Sequence, residues 1–101
     1  MSRYHEDASE EAGIAIFHYE SICLGLGESF AKAVNKCLDQ ILANPRLYPR
    51  LVQGHANREV RSCLLERFPY SVIYEILETE IVILAIAHHR RRPGYWRRRR
   101  T

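Results

Sequence analysis

The spacing of apolar residues changes period near the middle of the chain, and few folds accommodate that change. Up to Asn44 apolar side chains recur every third or fourth residue, and from Arg58 onward they alternate. The first stripe, Ala8, Ala12, Ala15, Ile16, Tyr19, Ile22 and Cys23, marks one face of a helix. Asp7 followed by Glu10 makes a capping-box pattern at its start. Gly25-Leu26-Gly27 predicts its end, because glycine accepts the positive φ of a tight helix–helix turn. A second stripe runs through Phe30, Val34, Cys37, Leu38, Ile41 and Leu42. Pro45 stops it at Asn44, since proline drives the residue before it out of helical geometry. Ser2 to Glu6 has room only for a short first strand.

After a loop holding Pro45, Pro49 and Gly54, Arg58 to Arg67 reads as a strand. Phe68-Pro69 interrupts the ladder, because proline has no N–H to donate. Tyr70 to Leu77 alternates aromatic and β-branched residues, and Glu78-Thr79 is the expected hairpin turn. Ile81 to His89 is apolar on both faces until its end, as a central strand requires. The helical hairpin must bury its apolar stripe against this sheet. The reading is an α+β domain of two layers, a helical hairpin on a mainly antiparallel sheet in the order β-α-α-β-β-β.

A chain of 101 residues, 47% of them apolar, supports one core and not two. Residues 1–96 are read as that single domain and 97–101 as a basic tail free to be disordered. The longest apolar run, Ile81 to Ala87, falls far short of the roughly 20 residues of a membrane span. Met1 to Asp7 is charged from its third residue and does not read as a signal peptide, so the expected compartment is the cytoplasm. Cys23, Cys37 and Cys63 are odd in number and lack a CxxC pair, which fits buried thiols better than a disulfide framework or zinc site. Adjacent His88 and His89 point to opposite faces of a strand and do not ligate one metal. No metal and no cofactor is expected. Residues 1–89 carry 8 Lys and Arg against 12 Asp and Glu, whereas residues 90–101 carry seven arginines and no acid. A basic end on an acidic body points to an anionic partner, a phosphate backbone or an acidic protein segment.

Several words of the sequence, in order, resemble the RelE/ParE toxin superfamily of type II toxin–antitoxin systems, in its ParE-like (plasmid stabilisation) branch. They are Arg3-Tyr4-His5-Glu6-Asp7-Ala8, Gly25-Leu26-Gly27-Glu28-Ser29-Phe30, Asn44-Pro45-Arg46-Leu47-Tyr48-Pro49 and Glu59-Val60-Arg61. The most specific are Arg67-Phe68-Pro69-Tyr70-Ser71-Val72-Ile73-Tyr74 and Ala87-His88-His89-Arg90-Arg91-Arg92-Pro93. The resemblance implies the fold above, a cognate antitoxin, and toxic action on DNA gyrase or on translating ribosomes.

A ribosome-dependent mRNA endonuclease of the RelE kind must position a phosphate, stabilise its developing charge and move protons. The resemblance offers Arg61, Arg90 and Tyr95 as catalytic candidates, with either Tyr95 or Trp96 at the place of the terminal tyrosine, but Cys63 and Ser71 stand where basic residues are looked for. The two lysines, Lys32 and Lys36, lie on the second helix. Arginine clamps phosphate but is a poor proton shuttle. A ParE-like toxin needs a shaped surface and no proton relay, so gyrase inhibition is the favoured expectation. The residues expected to meet target or partner are Arg58, Arg61, Arg67, Tyr70, His89, Arg90, Arg91, Arg92 and Trp96. An antitoxin is expected in apolar grooves beside the helical hairpin, with rim pairs to arginines; a homodimer is left open. Plainer roles exist for each group. Tyr70 and Tyr74 suit packing, Arg58 and Arg61 suit edge protection, and Trp96 suits the sheet or a partner. A non-toxic nucleic-acid-binding module is the rival of another class.

Overall fold

The computed structural model describes residues 2–51 and 57–99. Gly54, within the expected loop, and Arg100, within the expected tail, lie outside the described residues. The elements are β1 (Ser2–Tyr4), α1 (Glu6–Ile22), α2 (Leu26–Ala43), β2 (Glu59–Leu64), β3 (Tyr70–Ile76) and β4 (Ile81–His88). They form a helical hairpin on a four-stranded sheet of order β1-β4-β3-β2. β1 runs parallel to β4, and the other pairings are antiparallel. This is the α+β arrangement expected, with β4 central.

The ends of the elements depart from the sequence reading for local reasons. The cap of α1 is His5, not Asp7: its Nδ1 accepts from the Asp7 N–H at 3.1 Å. The His5 N–H meanwhile donates to Ile83 O at 2.8 Å, so one residue closes the strand and opens the helix. Between the helices only Gly25 takes positive φ, at 89°. Gly27 is needed for closeness instead, because a Cβ there would lie 2.7 Å from Ile16 O. The Glu20 carboxylate accepts from the Gly25 and Gly27 N–H groups and so caps α2 from the neighbouring helix. Ile22, Cys23 and Leu42, counted in the apolar stripes, are exposed: α1 ends at Ile22 with Cys23 as its cap, and Leu42 lies off the face of α2 that buries Ile41. β2 stops at Leu64 rather than Arg67, where the chain begins its turn toward Pro69.

The core lies between hairpin and sheet. Phe30, Val34, Cys37 and Ile41 of α2 meet Cys63, Val72, Tyr74, Ile83 and Ile86. Tyr19, Phe30, Phe68 and Tyr70 form an aromatic cluster with ring centroids 4.9 to 6.2 Å apart. β4 contains a bulge: Ile73 faces Ala85 and Tyr74 faces Ile83, leaving Leu84 without a partner on β3. The extra residue shifts the alternation, so Ile83 and Ile86 face the helices while Val82, Leu84, Ala85 and Ala87 face away. That second face is also buried. Trp96, 2% exposed, lies over it with Val60 and Ile73. The segment after β4 therefore covers the back of the sheet.

Burial raises the phenols of Tyr4, Tyr70, Tyr74 and Tyr95 above their ordinary range, Tyr74 to about 12. The folded chain thus keeps these protons after the unfolded chain has released them. Stability is full below about pH 10 and falls as the pH rises toward the folded values. Tyrosinate absorbance followed with far-ultraviolet circular dichroism is expected to show ionisation and loss of structure together. Gradual ionisation with an intact sheet would remove this account.

Candidate functional site

Arginine placement divides the molecule. β3 opens at Tyr70 opposite His88, near the end of β4, so the β2–β3 turn and the exit from β4 share one end of the sheet. The His89 N–H donates to Pro69 O at 2.8 Å and ties them together. Arg67, His89, Arg90, Arg91 and Arg92 are all exposed at this end. Arg67 holds a φ of 70°, which costs a non-glycine residue about 1–2 kcal/mol. The side chains of Arg67, Arg90 and Arg92 make no ion pair among the described residues, whereas Arg91 lies 3.8 Å from Glu11 and 3.9 Å above the Tyr95 ring. Tyr70 is half-buried between Phe30 and His88.

Arg58 and Arg61 do not join this group. Arg58 is 6% exposed and donates to both Glu75 carboxylate oxygens at 3.0 and 2.9 Å. It also donates to the carbonyls of Arg97 and Arg99 at 2.9 and 3.1 Å. Its guanidinium is therefore an internal strut and not an edge charge. Arg61 is held by Glu59 and by the carbonyls of Arg46 and Tyr48. The guanidiniums of Arg46 and Arg61 hold the Glu59 carboxyl below the usual carboxylate range, Arg46 contributing most.

Tyr95 and the residues after it are similarly engaged. The Tyr95 hydroxyl donates to Glu11 at 2.8 Å; burial and this bond push the phenol upward. Glu11 also accepts from the Ile86 N–H at 3.0 Å and from Arg99 at 2.8 and 2.9 Å. Arg99 in turn donates to Leu84 O at 2.9 Å. Among the described residues no strand covers β4 beyond Tyr4, and Glu11 with Arg99 answers backbone groups left at that edge. Arg97 and Arg99, counted with the tail in the sequence, thus carry internal contacts.

Glu11, Glu75 and Ser71 were not among the predicted site residues. Glu75 had a signal, being the one charge within the Tyr70–Ile76 strand, and a buried charge requires a partner. Glu11 sits beside Ala8, Ala12 and Ala15 on α1, where nothing local announces its role. Ser71 is 8% exposed, its Oγ 3.1 Å from His89 Nε2, in a cleft of about 220 Å³ on the back of the sheet. A larger groove of about 560 Å³ lies between the hairpin turn and the β2–β3 turn. Tyr19, Leu26 and Phe68 line it, and Lys32, Lys36 and Arg67 stand at its rim. Lys36 pairs with Glu66 at 2.7 Å, and Lys32 with Glu28 at 3.2 Å. Among the described residues no helix is long and apolar enough to cross a membrane.

No curated protein matches the chain. Among solved structures it is similar to a chain of the chromosomal ParDE TA system from P. aeruginosa, with a TM-score of 0.59 and 23% identity. The match covers 86% of this chain and 92% of that one, and at such identity it shows a shared fold. The family model of the ParE toxin of type II toxin–antitoxin system, parDE, matches residues 3–93. That span reaches from β1 through the cationic end of the sheet, and the chain belongs to the ParE toxin family of type II toxin–antitoxin systems.

Proposed function

We propose that this toxin acts in the cytoplasm by binding DNA gyrase and trapping it on DNA, as a binding module without a proton relay, until its cognate antitoxin removes it. One contrast carries the reading. Arg61 and Tyr95, two of the three residues a nuclease would draw on, are engaged by Glu59 and Glu11, while Arg67, Arg90 and Arg92 present unpaired charge on one rim. Exposed cations steer encounter and set orientation on an acidic or phosphate-bearing target. The antitoxin fits the groove beside the hairpin, where Tyr19, Leu26 and Phe68 supply apolar contact and Arg67 a rim charge.

Purified toxin is expected to inhibit supercoiling by gyrase and to raise the level of cleaved DNA complexes. Addition of the antitoxin is expected to reverse both. Ribosome-dependent cleavage of mRNA, with gyrase unaffected, would replace this reading with the RelE-like one. Salt-dependent DNA binding without growth arrest would replace it with a non-toxic nucleic-acid module.

A further inference from the structure

The back of the sheet holds a cleft that shares only Arg92 with the cationic rim proposed to meet gyrase. Ser71 of β3 pairs with Ala87 of β4, and both side chains lie away from the helices, where the chain leaving β4 arches over them. The arch and the sheet enclose the 220 Å³ cleft. Ile73, Ala87 and Trp96 make its apolar side; Ser71, His89 and Arg92 make its polar side. The Ser71 hydroxyl is recessed and touches the His89 ring, and among the described residues no Asp or Glu lines the cleft. Arg92 has no ion pair among the described residues. An exposed cation at the lining beside two hydrogen-bonding side chains, with no acidic residue in that lining among the described residues, favours an anion at the mouth. The apolar side favours an anion carried on an organic framework over a fully hydrated ion.

We propose that this cleft is a phosphodiester subsite for a single-stranded stretch of nucleic acid, with Ser71 and His89 hydrogen-bonding one phosphate and Arg92 neutralising it. A phosphate must enter the recess to reach Ser71. A flexible strand can turn a phosphate inward, whereas the rigid ridge of a duplex meets only the rim arginines. The source of the strand rests on the reading above: it is DNA held by the trapped gyrase.

The test is fluorescence anisotropy of the full-length toxin with labelled oligonucleotides of one sequence, as single-stranded DNA, single-stranded RNA and duplex DNA, with polyglutamate as competitor. Arg92→Ala and His89→Ala alter exposed residues of the cleft, and Arg98→Ala removes another exposed arginine outside it. Arg92→Ala and His89→Ala are each expected to weaken single-strand binding about five- to tenfold, and Arg98→Ala less than about twofold. Ser71→Ala is expected to weaken it by a smaller factor with no change in thermal stability. Preference for the RNA strand would keep the subsite but overturn DNA as the source of its strand. Equal losses for Arg92→Ala and Arg98→Ala, preference for the duplex, complete displacement by polyglutamate, or no binding would each overturn it. Gyrase inhibition is read separately: if it persists without strand binding, only the subsite falls. If strand binding persists and gyrase is untouched, only the proposed function falls.

Discussion

Arg58→Ala is expected to destabilise the protein by about 3–5 kcal/mol, the usual cost of stranding one partner of a buried ion pair. A domain of this size has about 5–15 kcal/mol in total, so the variant should be partly unfolded or nearly so. The size of the effect comes from what is left behind. Glu75, also 6% exposed, would keep its charge without a guanidinium, and the carbonyls of Arg97 and Arg99 would lose their donors. The midpoint of urea unfolding measures the loss. Arg58→Met combined with Glu75→Leu removes both charges and should recover most of it, because well-packed apolar replacements of buried pairs are often tolerated. A loss below about 1 kcal/mol for Arg58→Ala, as exposed pairs give, would mean that water reaches the pair. Because Arg58 lies away from the rim arginines, residual folded protein should inhibit gyrase normally.

Arg58 also shows where sequence reasoning stops. Periodicity is a local property, so the two helices, the three long strands and the central place of Ile81–His88 were legible from side-chain spacing. The stop before Pro45 and the break at Phe68-Pro69 were legible because proline acts on its own neighbours. What spacing does not encode is which charge meets which across the fold. Glu75 is 17 residues from Arg58, and Glu11 is 88 from Arg99. Without those pairings Arg58 reads as an edge charge and Arg99 as tail. The bulge at Leu84 was hidden because β4 is apolar on both faces, and a shift in alternation leaves no trace in such a run. The cationic end was half legible. The Arg90-Arg91-Arg92 run was plain, but its nearness to Arg67 depends on strand register.

Trp96→Ala is expected to cost about 3–5 kcal/mol, the range for emptying a large aromatic site in a core. Trp96 is 2% exposed against Val60, Ile73, Leu84 and Ala87, so its removal opens the whole back face of the sheet. Truncation after Pro93 should be worse still. It removes Trp96, the two carbonyls that receive Arg58, and the Tyr95 and Arg99 groups that surround Glu11. No stable fold is expected from that chain. Truncation after Arg99 leaves every one of those contacts and should change stability by less than about 0.5 kcal/mol. Circular dichroism during urea unfolding compares the variants, and the single tryptophan reports the wild type by the red shift of its emission on exposure. The contrast bears on function, because Arg90, Arg91 and Arg92 lie between β4 and this anchored segment and are presented by a chain held on both sides. If truncation after Pro93 left a cooperatively folded protein of wild-type stability, the segment would be an appendage, and the cleft beneath it would have no fixed wall.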